Sequence, residues 1–401
     1  MSTMREALEG ALFASPDDLA SHMAYADWLS EQGDPRGEFI QVQLALEGEG
    51  KPAEERKKLQ RREQELLDAH QREWLGGLAP VLLDRQQISE YRRQHGYVSR
   101  WRWARGWLDD LYLWQLTVTA ARALAGCPAA RLLRRLRIDF CGYENNYQAE
   151  PADGVPEGSE YPGLYPLARA PFLPHLRVFQ LGVAVDFENA DFEEGSGEGN
   201  YNSGAVAHGL VRLAAKMERI EELHLYAQAV RTDKLFALPN LTNLRVLVVY
   251  HNRMYSLEAL AANPALRNLT TLRMHPAHNA EGSCLPLAGV RELVHSPHLT
   301  SLKELHLRAS DLGDEGCAEI ARSGILKRLE VLDLRFGRVT DAGARALAEC
   351  PDVRRLRRLT LGDNQLTDAG RAALRGLGID ARCEHQFEVG SDEYLYSGDM
   401  E

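Results

Sequence analysis

The string L-x-x-L-x-L recurs near the C-terminus as Leu302/Leu305/Leu307, Leu329/Leu332/Leu334 and Leu356/Leu359/Leu361, so successive units start 27 residues apart. Such an interval constrains the fold more than any local propensity, because one unit cannot bury an apolar face alone and must stack on its neighbours. Each string is followed by an apolar residue, a turn and a helix start: Leu312-Gly313-Asp314-Glu315-Gly316, Val339-Thr340-Asp341-Ala342-Gly343 and Leu366-Thr367-Asp368-Ala369-Gly370. The Asp or Thr is suited to capping the helix, and the Gly to close backbone packing. Upstream the phase continues more weakly at Leu269/Leu272/Met274, Leu244/Leu247/Val249, Ile220/Leu223/Leu225, Leu176/Phe179/Leu181, Leu133/Leu136/Ile138 and Leu108/Leu111/Leu113, giving nine strands. A proline five residues before the unit start, at Pro128, Pro171, Pro239, Pro264, Pro297 and Pro351, sets the same register independently. It is expected to end a helix and send the chain extended into the next strand. Cys127 and Cys350 precede prolines at the phase where Asn263 and Ser296 also stand, which makes them small corner residues.

The pattern resembles the leucine-rich repeat, and its regular C-terminal units, Val339 to Leu347 and Leu366 to Leu374, resemble the ribonuclease-inhibitor type. The expected fold class is α/β: a leucine-rich repeat solenoid, a curved parallel sheet with helices on the convex side, preceded by a small α-helical N-terminal domain. The domain reading is residues 1–95 helical, 96–377 solenoid, and 378–401 an acidic tail of which the part around Phe387 and Val389 can form an edge strand or cap. Two units are overlong, with 43 residues from Leu133 to Leu176 and 44 from Leu176 to Ile220. They hold inserts near 141–165 and 186–203, expected side by side on one edge of the solenoid, the second acidic and Gly-rich.

Ahead of the repeats, Ser15-Pro16-Asp17-Asp18 predicts a helix with Leu19, Met23 and Ala26 on its apolar face and Gly33 as its stop. Asp34-Pro35 starts a second helix carrying Phe39, Ile40, Leu44 and Leu46, and a charged third runs from about Pro52 to Trp74. The stretch Tyr25-Ala26-Asp27-Trp28-Leu29, then Gly33-Asp34-Pro35-Arg36-Gly37-Glu38-Phe39-Ile40 and Gln43, resembles the bacterial repeat-companion domain. Leu66-Leu67-Asp68-Ala69-His70 through Trp74-Leu75 matches the family's later helix, and Trp103-Ala104-Arg105-Gly106-Trp107 resembles its Arg-Gly-aromatic entry into the first repeat. The resemblance implies a binding scaffold and carries no chemistry with it.

Composition agrees with that class. Hydrophobic residues make 44 % and charged residues 26 % of 401, ordinary globular values, and no apolar run is long enough to span a bilayer. The six dispersed cysteines form no C-x-x-C pair, which fits a reducing, cytoplasmic setting, and a net charge of −11 argues against a nucleic-acid binder. No P-loop, G-x-G-x-x-G, G-x-S-x-G or H-E-x-x-H occurs, so no catalytic residue, metal or cofactor is expected. His275, His278, His295 and His298 fall at strand ends and corners rather than forming a ligand set, and Asp186 to Glu194 lack calcium-loop spacing. An alternative is an enzyme or enzyme accessory with a site between the N-terminal helices and the inserts, using Asp27, Glu38 and the acidic loop.

Strand alternation points to the concave face, since residues before, between and after the inner leucines project there. Along successive strands one column reads Tyr226, Tyr250, His275, Arg308 and Arg335, with Arg273, His306 and Asp333 beside it. Tyr and Arg are enriched at protein-protein hot spots. These eight residues are the candidate partner-binding set of a non-catalytic scaffold for a protein or peptide, which would offer carboxylates to Arg308 and Arg335 and apolar groups to the tyrosines.

Overall fold

The computed structural model describes residues 2–84, 98–141, 164–184, 205–276 and 285–391. Most of both inserts, His278 and the segment from Asp392 onward lie outside the described residues. Among those described, the strands form one eleven-stranded sheet whose spatial order follows the chain. They are β1 (Arg100–Ala104), β2 (Trp107–Gln115), β3 (Arg135–Phe140), β4 (Val178–Leu181), β5 (Glu222–Tyr226), β6 (Val246–Asn252), β7 (Thr271–Pro276), β8 (Glu304–Leu307), β9 (Val331–Asp333), β10 (Arg358–Thr360) and β11 (Asp380–Arg382). β1 and β2 form an antiparallel hairpin, and every later pair is parallel. Parallel neighbours need a return path, supplied here by helices and 3₁₀ turns on the convex side.

Leu111, Leu136, Phe179, Leu223, Leu247, Leu272, Leu305, Leu332 and Leu359 stand in direct register across β2 to β10 and are all buried. This row is the core, and a single unit would leave it exposed on both sides. The nine expected strands are present. The sheet also gains β1 and β11, the latter placing Ala381 beside Leu359. The edge strand therefore lies upstream of Phe387 and Val389, where the row carries alanine instead of leucine. Phe387 instead donates its backbone N–H to Asn364 O, and Val389 is exposed.

The Thr-Asp-Ala-Gly turns work between units as well as within them. Thr340 and Thr367 cap their own helices, Asp341–Glu349 and Asp368–Arg375, accepting from Ala342 N and Ala369 N at 3.2 Å. The acidic residue of each unit reaches forward. Asp314 accepts from Thr340 N (2.8 Å), Thr340 Oγ1 (2.7 Å) and Gly343 N (2.8 Å), and Asp341 repeats the bracket on Thr367 and Gly370. A methyl group on Gly343 would stand 2.5 Å from Asp314 Oδ1, which is why glycine follows the turn.

The proline corners differ from expectation in one respect. Pro128, Pro264 and Pro351 each open a short 3₁₀ turn before the strand rather than an extended run, and the residue ahead of each is the extended one. That preceding residue ties units together: Asn263 donates to Phe236 O (2.6 Å), Ser296 to Ala261 O (2.5 Å), and Cys350 Sγ approaches Ala321 O at 3.5 Å. Cys127 makes the same contact with Leu75 O at 3.5 Å, where the previous element is an N-terminal helix.

The N-terminal helices are α1 (Ser2–Ala14), α2 (Leu19–Glu31), α3 (Pro35–Glu47), α4 (Ala53–Leu75) and α5 (Ala79–Leu83). Helix α1 is an addition to the sequence reading, and the cap of α2 is Asp18, accepting from Ser21 N at 3.0 Å. The inner face of α2 is His22, Tyr25, Ala26 and Leu29, while Leu19 and Met23, expected inside, are exposed (Met23 57 %). Of the expected face only Ala26 is inside, because the Tyr25 ring takes the inward position against Trp107 at 6.0 Å.

Helix α3 explains the motif around Pro35. Arg36, buried, donates from Nε to Gly106 O (2.9 Å) and lays its guanidinium over the Trp107 ring at 4.2 Å. Gln43 accepts from Gly106 N at 2.7 Å, so the hairpin turn at Arg105 and Gly106, both with positive φ, is held from either side. A Cβ on Gly37 would lie 2.6 Å from Ala26 O, which lets α2 and α3 cross closely. Beyond them Phe39 stacks on Trp74 at 4.8 Å, and Trp103 meets Phe39 edge-on at 5.8 Å.

Candidate functional site

Register places Tyr226 beside Tyr250 and Tyr250 beside His275 on β5, β6 and β7. The rings form a continuous chain, Tyr226 to Tyr250 at 5.4 Å edge-on, Tyr250 to His275 at 5.5 Å, and His275 to Phe336 at 5.6 Å. Phe336 follows β9 with a left-handed backbone, φ 57°. Val246 and Val248 flank the tyrosines to complete an apolar strip. The strip is packed rather than held out to solvent: Tyr226, Tyr250 and His275 are all buried. Burial pushes the Tyr226 hydroxyl up to about 12 and raises that of Tyr250, so both stay protonated donors.

The charged half of the column is more changed. Asp333 lies beneath it and gathers the arginines: Oδ2 accepts from Arg308 Nε (2.9 Å), Arg308 Nη2 (2.8 Å) and Arg335 Nη2 (2.9 Å), and Oδ1 accepts from Arg335 N (3.1 Å). His306 Nδ1 stands 3.3 Å from the same carboxylate. Arg308 is 1 % exposed and Asp333 2 %. Burial opposes the Asp333 charge, yet Arg308, His306 and Arg335 together hold its carboxyl well below the ordinary range. Burial also lowers His306, keeping the ring neutral against the pull of Asp333. Arg308 therefore serves an internal ion pair, and the expectation that it greets a partner's carboxylate does not fit its position. Of the charged candidates, Arg273, 3.2 Å from Glu304 Oε2, and Arg335 reach solvent.

Past Arg335 the loops after β9, β10 and β11 enclose a cavity of about 140 Å³, lined by His306, Val331, Asp333, Arg335, Arg358, Thr360, Gly362, Asp363, Arg382, Glu384 and His385. Arg358 and Arg382 both donate from Nε to Asp380 Oδ2, at 3.0 and 3.2 Å. Burial pushes the Asp363 carboxyl up to about 6, against the lowering effect of His385 and Arg335. Strand alternation about Leu359 and Leu361 places Arg358, Thr360 and Gly362 on this face, outside the eight candidates, while Arg382, Glu384 and His385 fall in the tail region. The missing signal is a backbone one. His251, Ala309, Phe336, Asp363 and His385 share one repeat position and a left-handed φ, which leucine spacing does not encode.

At the other end of the concave face, Tyr112 donates to Asp139 and Arg137 lies 3.3 Å from Asp110. Burial pushes Asp139 up to about 6, its bond from Tyr112 and the charge of Arg137 acting against it. In the N-terminal motif, Asp27 accepts from Gln41 Nε2 (3.0 Å), Glu38 accepts twice from Arg62 (2.7 and 2.8 Å), and Asp34 caps α3 through Arg36 N (2.9 Å). Each carboxylate thus has a structural partner, and the acidic insert that would complete the alternative site lies outside the described residues. Among the described residues no three His, Cys, Asp or Glu side chains are placed to hold a metal, and no helix is long and apolar enough to cross a membrane.

A family model described as leucine rich repeat matches residues 298–321, 328–348 and 355–374. With the parallel sheet and its convex helices, this makes the chain a leucine-rich repeat protein in fold, with a helical region ahead of the strands. No curated protein matches the sequence. Similar solved structures include a protein from Bacteroides fragilis, 18 % identical over 66 % of this chain and 69 % of that one, with a TM-score of 0.43. A Leptospira interrogans leucine-rich repeat protein is 14 % identical over 65 % of this chain and 50 % of its own, TM-score 0.35. An internalin from Listeria monocytogenes is 13 % identical over 80 % of this chain and 91 % of its own, TM-score 0.33.

Proposed function

We propose that this protein is a non-catalytic recognition scaffold that binds a protein or peptide partner on the concave face of its repeats. Leucine-rich repeats typically serve as protein-interaction scaffolds, and stacked repeats build extended concave surfaces suited to that use. The observation that carries the reading is the pair of solvent-reaching guanidinium groups, Arg273 and Arg335, beside a packed apolar strip of Tyr226, Tyr250, Val246 and Val248. An anchored aromatic centre with an arginine rim is the composition of interface hot spots. In this reading residues 1–95, of the repeat-companion type, close one end of the solenoid, residues 96–377, of the ribonuclease-inhibitor type, carry the recognition face, and residues 378–401 are an acidic tail, part of which caps the other end.

The test is capture of a partner from the native cell by the full chain, with Tyr250→Ala and Arg273→Ala compared against Arg345→Ala on a convex helix. The concave changes should each weaken binding about tenfold or more, and the convex change should leave it unaltered. Unchanged affinity in both concave variants, with loss of binding on deleting residues 186–203, would move the site to the edge inserts and contradict the reading.

A further inference from the structure

We propose that the N-terminal end of the concave face, around Arg100, Arg135 and Arg137, is a docking surface for an acidic segment of the partner that presents side-chain carboxylates in succession, a proposal that rests on the reading of the concave face as partner-binding. Pairing separates the two ends of that face. From β7 onward the solvent-reaching arginines have carboxylates of their own chain: Arg273 has Glu304 at 3.2 Å, Arg335 has Asp333 at 2.9 Å, and Arg358 and Arg382 share Asp380 at 3.0 and 3.2 Å. On β1 to β3 the balance is reversed. Among the described residues no hydrogen bond or ion pair is made by the guanidinium of Arg100 or Arg135, both exposed, and Arg137, its side chain 45 % exposed, has a single contact of 3.3 Å, to Asp110. Asp139 is buried and taken up by the Tyr112 hydroxyl, while Arg102 turns to the buried Asp109. Three guanidinium groups thus surround the Asp110 carboxylate, in a chain whose net charge is −11.

Strand register makes this one surface. Arg100, Tyr112 and Arg137 are direct neighbours across β1, β2 and β3, as are Arg102, Asp110 and Arg135 in the next row. The Arg100 guanidinium lies 5.5 Å from the centre of the Tyr112 ring, whose hydroxyl is fixed by Asp139. Arg135 and Arg137 project from the same side of β3, two residues and so about 6.6 Å apart, the spacing of alternate side chains on an extended peptide. Each guanidinium has five N–H donors in a fork that matches a carboxylate, and the contact to Asp110 leaves most of those of Arg137 open. A nucleic acid fits this surface less well. Bases need an open aromatic face to stack on, whereas Arg100 lies over Tyr112 and Trp114 packs against Phe140 at 5.4 Å, and the net charge repels a long polyanion.

The experiment titrates the full chain with fluorescein-labelled hexaglutamate, followed by anisotropy, with hexalysine and an oligothymidylate run beside it. Hexaglutamate should saturate, and the double variant Arg135→Gln with Arg137→Gln should weaken it about tenfold, while Arg345→Gln on a convex helix leaves it unchanged. Both altered arginines are exposed, so the double variant should melt with the wild type. A partner captured by the full chain should be displaced by hexaglutamate and lost by the same double variant. Absence of saturation, or binding that the double variant leaves unchanged, would overturn the proposal, as would tighter binding of hexalysine or of the oligothymidylate. Binding that appears only after deletion of residues 186–203 would give the arginines to the chain's own acidic segment and overturn the assignment to a partner. If Tyr250→Ala or Arg273→Ala loses the captured partner while hexaglutamate does not bind, the acidic docking surface fails and the concave-face reading stands. If hexaglutamate binds through Arg135 and Arg137 while partner capture ignores every concave change, that reading fails and the assignment to a partner falls with it.

Discussion

The N-terminal end of the sheet is covered by helices that place Phe39, Leu66, Trp74 and Leu75 in the same apolar cluster as Leu108 and Leu111. At the C-terminal end the last strand among the described residues is the short Asp380–Arg382, and the inward residues there, Ile379, Ala381 and Cys383, are only half-buried. A solenoid core has to stop somewhere, and among the described residues it stops once against packed helices and once by taper. The seal at the first end is specific as well as apolar. Arg36 and Gln43 grip the Gly106 turn, while Asp17 accepts from Arg134 and Arg177 on the strand corners of β3 and β4. At the second end the strands shorten to three residues, and the loops that follow them line the cavity beside His306.

The largest expected effect breaks the first end. Removing residues 1–95 uncovers the Leu108 and Leu111 row, and the truncated chain should aggregate or melt far below the full one. A fragment as soluble and heat-stable as the whole would refute the sealing role. A smaller effect belongs to the regular units between the ends. Gly343→Ala forces a methyl against Asp314 Oδ1 and Val339, and overpacking of this kind costs about 1–3 kcal/mol, measurable in urea. An equally stable variant would show that the bracket between units is slack.

The smallest effect is a titration near the first end. His175, at the corner before β4, is lowered to about 4 by burial and by the charge of Arg219. Between about 4 and its ordinary 6.5 the unfolded chain binds the proton that the folded one refuses, so its contribution falls as pH drops through that window. Asp139 and Asp363, raised to about 6, act in the opposite sense, holding protons in the folded state. The informative comparison is therefore wild type against His175→Asn, which should lose less stability between pH 6.5 and 4. Identical pH profiles would place no weight on His175.

Leucine spacing made the middle of the molecule legible, because one row of buried side chains at strand register leaves a 27-residue trace wherever the units are regular. It failed where the row is built from other residues. The last rung uses Ile379, Ala381 and Cys383, and the hairpin strand β1 joins antiparallel, outside the repeat phase. The phase error on α2 has another cause, since Leu19 and Met23 are good apolar candidates and only the Tyr25 and Trp107 rings decide which side is inside. On the concave face, alternation put Tyr226, Tyr250 and His275 in one row but did not set their accessibility. Whether Arg308 meets a partner or Asp333 depends on a neighbour one unit away in space, a pairing that strand pattern alone does not set.

The contrast between a sealed end and a tapering one is tested most directly by native-state hydrogen exchange of the full chain, read strand by strand. Opening free energies should be high and similar for the Leu111, Leu136 and Phe179 amides of β2 to β4. They should then fall through Leu332 and Leu359 to a minimum at Ala381, because fraying in a stacked array starts from its weaker end. Protection at Ala381 and Leu359 equal to that at Leu111, or fraying that begins at β2, would contradict the account.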